Sequence, residues 1–377
     1  MRILVAEPWL AGSHQSWAEG YRSHSSNDVE VLGLTAQLWR WRIRAGAVPL
    51  AELVRSSIRR SGQPDVLVVG GMVDVSSLLG MLRHDLRSTV PVVTYMHESQ
   101  LLYPVVDGAR DDEAVLRNWH SWCASDLVLF NSNFHRDSVI QAIPGWLARL
   151  PQSDQSQLWG SVQGRMDVLP VGVEPRTRPR LEDSGGSGPP VILWPHRWEP
   201  DKDPQTFARA LDKLSRAGVD FRLILAGEDP SQSEVRSRLE LVHSDRVLAS
   251  GPFDVEEYRR WLVKSDIVVS CANHEFFGVA VMEAMLAGCV PVVPNALSYP
   301  ELIPETWHDS VLYERGRFGS RLVDVVGDFE RHKVTAAGLP EALKGYGWDH
   351  VARLYDNRLL SVVGATQRVE SAPRGVE

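Results

Sequence analysis

Apolar residues in this chain come in short β-branched runs, separated by stretches where they recur every three or four positions. In the first half the runs are Ile3–Ala6, Val29–Leu34, Val66–Val69, Val92–Tyr95, Leu127–Phe130 and Met166–Leu169. A continuous rather than alternating run suits a strand whose sheet is covered on both faces, and the helical spacing between runs supplies the cover. The pattern predicts a doubly wound, mostly parallel α/β sheet over residues 1–175. From Pro175 to Pro190 the chain turns polar and rich in Gly, Pro and Ser, which predicts a linker over 176–190. The alternation then restarts with Val191–Trp194, Phe221–Ala226, Arg246–Leu248, Ile267–Ser270, Val290–Val293 and Val311–Tyr313, so a second such domain is expected over 191–345. Trp348 to Leu360 reads as a terminal helix within 346–363. Residues 364–377 read as a disordered tail, since Thr366 to Glu377 lack apolar periodicity. Two parallel sheets on one linker are expected to face each other across a cleft, with strand C-terminal ends on either side.

One stretch concentrates this logic. Ile267 to Val269 is a buried-strand run, Ser270 to Gly278 is a polar loop, and helical spacing holds from Val279 to Ala287 until Gly288 stops it. Glu275 lies at the mouth of that helix and Glu283, eight positions on, about a turn inside it. The amides of Phe277 to Ala280 are the start of the helix and favour an anion. Amides flanked by two carboxylates suit a ligand that carries both phosphate and hydroxyl groups, as nucleotide sugars do.

Composition narrows the picture. The 377 residues are enough for two ordinary domains, and 44% hydrophobic with 23% charged is the balance of a soluble globular protein. No apolar run reaches the roughly 18 residues of a membrane helix. The opening Met1-Arg-Ile-Leu-Val-Ala-Glu7-Pro8 reads as a strand rather than a secretion signal. Cys123, Cys271 and Cys289 are odd in number and lack metal-ligand spacing, which predicts free thiols and a cytoplasmic location. A formal charge of −8 argues against a broad electrostatic grip on nucleic acid, though not against a local basic patch.

Several loops carry candidate chemistry. Gly12-Ser13-His14 follows the first strand, where a glycine lets a ligand approach the backbone; an ordinary strand-to-helix turn explains it equally well. No Gly-x-Gly-x-x-Gly is present, so a dinucleotide site is disfavoured. Trp39, Arg40, Trp41, Arg42 and Arg44 interleave aromatic rings with guanidinium groups, and Arg55, Arg59 and Arg60 follow, with Glu52 the sole acid from Gln37 to Ser61. Such a patch can pair phosphates and stack bases, or be an exposed helix whose tryptophans face the core. His97-Glu98-Ser99-Gln100 and Asn131 each follow a strand, which places them at the expected cleft; N-cap duty explains the Asn131–Asn133 stretch as well. Arg197 and Lys202 share one loop and suit a diphosphate, with Asp203 and Pro204 starting the next helix. Gly251 and Phe253 are candidates for backbone contacts to a base.

Together these motifs carry a resemblance. With four residues between Arg197 and Lys202 and seven between Glu275 and Glu283, these pairs resemble the retaining glycosyltransferases of the GT-B type, which have two Rossmann-like domains. Asp167-Val-Leu-Pro-Val-Gly-Val173 is similar to the segment those enzymes place before their interdomain linker, and the helix at Trp348 resembles the one that crosses back to the first domain. Gly12-Ser13-His14, Trp39-Arg-Trp-Arg42, His97-Glu-Ser-Gln-Leu-Leu-Tyr-Pro104, Trp194-Pro-His-Arg-Trp-Glu199 and His274-Glu-Phe-Phe-Gly278 resemble the tRNA-queuosine mannosyltransferase family. Phe276, where the general pattern has glycine, agrees with that branch.

The resemblance implies transfer of mannose from GDP-mannose to queuosine in a tRNA anticodon, with retention of anomeric configuration. Glu275 would bind hydroxyls of the donor sugar and Glu283 the ribose. Arg197 and Lys202, with the amides of Phe277, Gly278 and Val279, would hold the diphosphate. His97 would touch the sugar from the first domain with Glu98 beside it, and Gly12 to His14 would approach the phosphate. The tryptophan–arginine patch, Gln100 and Asn131 would then meet the tRNA. No metal or other cofactor is expected, because the cations and helix amides neutralise the leaving diphosphate. The rival readings are glycosyl transfer to a small molecule or lipid and a non-catalytic nucleotide-sugar or RNA-binding module; the intact Arg/Lys and Glu/Glu pairs disfavour the second.

Overall fold

A computed structural model describes residues 1–104, 110–150, 155–174, 188–229 and 233–371. The chain forms two compact units, Met1–Gly172 with Trp348–Glu377 and Val173–Gly347. Most of the expected linker, residues 176–187 of 176–190, lies outside the described residues.

In the first unit six strands, β1 (Arg2–Glu7), β2 (Asp28–Gly33), β3 (Val66–Gly70), β4 (Val92–Met96), β5 (Leu127–Phe130) and β6 (Met166–Val168), pair in the order β2-β1-β3-β4-β5-β6. Every pairing is parallel. All residues of β3, β4 and β5 are buried, which accounts for their unbroken apolar runs. The order reverses between β1 and β3, the topological switch point where open parallel sheets place ligands beyond their strand ends. Glu7 and Gly70 end those two strands.

The second unit repeats the plan with β7 (Val191–Trp194), β8 (Arg222–Leu225), β9 (Val247–Ser250), β10 (Ile267–Val269), β11 (Val290–Pro294) and β12 (Leu312–Tyr313), in the order β12-β11-β10-β7-β8-β9. Its switch point lies between β7 and β10, so the loops after those two strands, carrying Arg197 and Glu275, emerge side by side. The aromatic rings of Trp194, Trp198 and Phe207 fill the layer beneath, with Trp194 stacked on Phe207 at 4.5 Å.

The helix Trp348–Ser371 belongs to the first unit. The Trp348 ring fills space left open by Gly20 and Gly172; a Cβ at either position would lie 2.2 Å from it. Further along, the Asp356 carboxylate accepts from Tyr21 Oη (2.8 Å), Ser25 Oγ (2.6 Å), Ser26 N (2.9 Å) and Ser26 Oγ (2.8 Å). Tyr355 Oη accepts from Trp17 Nε1 and donates to the Pro170 carbonyl. These bonds explain why a segment so late in the chain returns to the first sheet. The helix also runs past the expected start of the tail, reaching Ser371, because Gln367 to Ser371 contain no breaker before Pro373.

Candidate active site

The loops after β7 and β10 build one charged cluster. The turn Pro200–Lys202 is tied to the β10 loop by the Asn273 N–H, which donates to the Asp201 carbonyl at 2.7 Å. Lys202 follows in that turn and is buried, its ammonium donating to the His274 carbonyl (2.8 Å) and to Glu275 Oε2 (3.2 Å) while lying 3.1 Å from Asp201 Oδ2. Asp203 sits at φ 49° and caps the helix Pro204–Arg216 by accepting from the Thr206 N–H. Burial disfavours the Lys202 charge, but the Glu275 and Asp201 carboxylates outweigh it and raise its pKa. Burial likewise favours protonated Glu275, and the Lys202 ammonium more than offsets this, holding the carboxyl below its usual range. The pair therefore keeps a full positive and a full negative charge at neutral pH. Arg197 is half-exposed on the same loop, 3.0 Å from Glu199.

Beyond Glu275 the chain passes through Gly278 at φ 82°, a left-handed position that suits glycine, into the helix Val279–Leu286. The Met282 N–H makes the first helical bond, to the Gly278 carbonyl. The amides ahead of it thus have no acceptor within the helix, as the sequence suggests for an anion site. Glu283 is partly exposed one turn in. Phe276 and Phe277 are both buried, and Phe276 meets the His274 ring edge-on at 4.5 Å, so these rings shape the loop from inside. Sequence reasoning passed over Tyr299 and His196. Tyr299 donates to Ser270 Oγ at 2.9 Å, and its ring would lie 3.3 Å from a Cβ on Gly278. His196 Nε2 faces the Val269 carbonyl; burial first, and then the Lys202 charge, push its pKa down to about 4, so it is neutral. His196 lies within the Trp194–Glu199 motif but without a role assigned there, and Tyr299 belongs to no recognisable local pattern.

In the first unit, Gly12, Ser13 and His14 open the helix Gly12–His24, with Gly12 and Ser13 exposed and His14 buried. His14 Nδ1 is 3.1 Å from Glu7 Oε1, and His97 Nε2 is 3.5 Å from Glu7 Oε2. Among the described residues this is the one trio of His, Cys, Asp or Glu side chains whose donor atoms all lie within 4.8 Å of one another. Two neighbours assigned to an acceptor surface support the His97 loop instead. Asn131 is buried, donating from Nδ2 to the His97 carbonyl at 2.9 Å, and Gln100 is buried, donating from Nε2 to Glu98 Oε1 at 3.1 Å. Asn131 thus satisfies a backbone carbonyl of the loop it braces, and Gln100 a side-chain carboxylate on it.

The tryptophan–arginine patch forms the short helix Trp39–Ala45, entered through Leu38 at φ 50°. Only Ile43 of that helix is buried, so the tryptophans do not face a core: Trp41 is 66% exposed and Trp39 37%. The charges are less available than the local sequence suggests. Arg44 pairs with Glu113 (2.9 Å) and Asp111 (3.1 Å), and Arg42 bonds the Thr35 carbonyl. Arg55 is paired with Asp85 and Glu52, and Arg60 with Glu30. Arg40 lies over the Trp39 ring at 5.3 Å. Gly251 and Phe253 follow β9, the sheet edge, two strands away from β7.

Residues 2–173 match the family model described as tRNA-queuosine alpha-mannosyltransferase N-terminal, and residues 180–313 match glycosyl transferases group 1. The chain is 34% identical over 320 residues to a Drosophila melanogaster tRNA-queuosine alpha-mannosyltransferase, spanning 80% of this chain and 82% of the fly protein. It is 22% identical over 331 residues to a GDP-mannose:cellobiosyl-diphosphopolyprenol alpha-mannosyltransferase of Xanthomonas oryzae, 77% of this chain and 86% of that one. In fold it matches a sucrose-phosphate synthase from Thermosynechococcus elongatus with a TM-score of 0.73 at 13% identity, over 97% of this chain and all of the other. That likeness identifies the two parallel sheets as the GT-B architecture.

Proposed function

The chain belongs to the tRNA-queuosine alpha-mannosyltransferase family, and from that premise we propose that it moves mannose from GDP-mannose to queuosine in tRNA, in the cytoplasm where tRNA is modified. It is a glycosyltransferase of the GT-B fold. No described helix is long and apolar enough to cross a membrane.

The observation that carries the reading is the ion pair between buried Lys202 and partly buried Glu275 at the switch point of the second sheet, beside a helix start. Breaking the bond between the mannosyl carbon and the diphosphate adds a negative charge to a group that already carries two. Lys202, Arg197 and the amides at Phe277 to Val279 supply the opposing charge without reorganising, which is how a preformed site lowers such a barrier. The same groups allow the reaction to proceed without a metal. Glu275, kept ionised by Lys202, accepts from donor-sugar hydroxyls, and Glu283 from the ribose. The hydroxyl of the cyclopentene diol forms the new bond on the face the diphosphate leaves, its proton passes to the departing phosphate oxygen, and configuration is retained. In the first unit the exposed Trp39–Trp41 ledge with Arg40 is the RNA-contacting element.

A panel of nucleotide sugars tests the donor. Each is incubated with the protein and queuosine-containing tRNA in EDTA, and nucleosides are analysed by mass spectrometry with anomer assignment. GDP-mannose giving an α-mannosyl product is expected. Transfer only from another nucleotide sugar, only with added metal, or with inverted configuration would overturn the corresponding part.

A further inference from the structure

The first sheet holds a group that the reaction as described does not use. Glu7, the last residue of β1, is wholly buried at that sheet's switch point. Its Oε1 accepts from the Trp9 N–H at 2.9 Å and faces His14 Nδ1 at 3.1 Å, while Oε2 and His97 Nε2, both buried and neither in another hydrogen bond, face each other at 3.5 Å, at the outer limit of a hydrogen bond. The carboxylate occupies a slot that exists because residue 70 is glycine: a Cβ there would lie 2.3 Å from Oε2. The His97 ring is fixed from other sides by Trp17 and Tyr95, each edge-on at 4.8 Å, and by the His14 ring at 3.9 Å.

An ionised carboxylate only accepts hydrogen bonds, so a ring nitrogen turned toward it carries the hydrogen. Burial alone would raise the Glu7 pKa, but the two histidines more than offset it and bring it to about 2. Burial, with the His14 charge, takes His97 down to about 4 against the pull of Glu7, so at neutral pH this ring holds one proton. That proton sits on Nε2, and Nδ1 keeps its lone pair. A shared metal ion suits the trio less well. Two imidazoles on one tetrahedral ion aim their nitrogens at it and splay their rings, whereas these rings stack with 30° between their planes and each turns a nitrogen to its own carboxylate oxygen.

We propose that Glu7 is a positioning residue for glycosyl transfer, holding His97 in the Nε2–H tautomer so that Nδ1 accepts a hydrogen bond from a ligand hydroxyl. The ligand class is a polyol carrying free hydroxyls, either the donor sugar or the diol of the acceptor nucleoside. That the hydroxyl belongs to a glycosyl-transfer substrate rests on the proposed function; the tautomer does not.

Histidine ring ¹⁵N labelling and long-range ¹H–¹⁵N correlation on the full chain, without substrate, read the tautomer directly, with His97→Gln assigning the signals. The expected result is a neutral His97 protonated at Nε2, unchanged between EDTA-treated and zinc-supplemented samples. Glu7→Gln, which offers a donor where the carboxylate offered an acceptor, should shift His97 toward mixed tautomers and lower kcat by about tenfold to a hundredfold, the effect of one mispaired buried hydrogen bond. The KM for tRNA should stay within about twofold. A His97 protonated at Nδ1 or at both nitrogens in the wild type, a zinc-dependent shift, or a Glu7→Gln enzyme with unaltered tautomer and kcat would each overturn the proposal. If Glu7→Gln does not fold, the wild-type tautomer decides alone. A correct tautomer in a chain that transfers no sugar would leave the positioning intact and refute the function.

Discussion

Lys202→Met is the substitution whose consequences the structure constrains most closely. The ammonium is bonded to the His274 carbonyl and Glu275 Oε2 and lies 3.1 Å from Asp201 Oδ2, so methionine keeps most of the volume while leaving two carboxylates without their counter-charge. Removing one partner of a buried ion pair costs about 3–5 kcal/mol. Since a fifth of the Glu275 side chain is still exposed, the low end, about 3 kcal/mol, is expected. Adding Glu275→Gln removes the stranded charge and should restore about 1–2 kcal/mol of that loss, because a neutral amide is cheaper to bury than an unpaired carboxylate. Activity should not follow stability. Both variants lack the fixed cation opposite the leaving diphosphate, so kcat should fall by about a hundredfold to a thousandfold in each, the range seen when one preorganised charge-stabilising group is deleted. Urea unfolding and steady-state transfer assays on the wild type, both single variants and the double variant give the full cycle. Strictly additive stabilities would refute the pairing, and a Lys202→Met enzyme within about threefold of wild-type kcat would refute the role of the lysine in holding the diphosphate.

Three further expectations follow from the geometry. Arg40→Ala with Trp41→Ala should weaken tRNA binding and lower the slope of log affinity against log salt by about 0.9 for the lost phosphate contact, whereas Arg44→Ala, already neutralised by Glu113 and Asp111, should cost less; equal losses would contradict the ranking. Acid stability should carry a signature of Glu7. Its folded pKa lies about 2, below the ordinary 4.5, so it adds about 3 kcal/mol that is present above pH 4.5 and lost as pH falls toward 2. The stability gap between the wild type and Glu7→Gln should therefore narrow over that window in urea titrations, and a constant gap would count against an ionised Glu7. Asp356→Ala strands four donors, one on the first helix (Tyr21) and three in the turn after it (Ser25 and Ser26), a loss of several hydrogen bonds worth about 1 kcal/mol each; amide exchange should show the helix Trp348–Ser371 losing protection before the sheets, and uniform loss would contradict its role as a clasp.

Local pattern and long-range pairing were unequally readable in the sequence. The run Leu127–Phe130 and the run Val191–Trp194 are strands with those very bounds, and the Asp203–Pro204 helix start and the Gly288 stop are where turn chemistry puts them. Such features depend on neighbours a few positions away. The patch at residues 37–60 shows the opposite dependence. Its acids are supplied by Asp111, Glu113, Asp85 and Glu30, which sheet order brings close and sequence distance conceals. Asn131 and Gln100 have the residue types of a binding surface, but Asn131 bridges the His97 carbonyl and the His135 ring and Gln100 donates to Glu98. Glu7 reads locally as the acid that ends an apolar run; its meaning depends on two histidines, one 90 positions away, and on the glycine that ends a neighbouring strand. The helix end at Ser371 lies beyond the apolar periodicity, which a last helical turn does not need.

The central claim is that the site of the second unit glycosylates queuosine in tRNA. It is tested most directly by giving the protein radiolabelled GDP-mannose and two samples of the same tRNA, one containing queuosine and one transcribed without it. Label in the queuosine-containing tRNA alone, abolished in Glu275→Gln, is the predicted result. Equal label in both tRNAs, or in neither while a small-molecule acceptor is labelled, would contradict it.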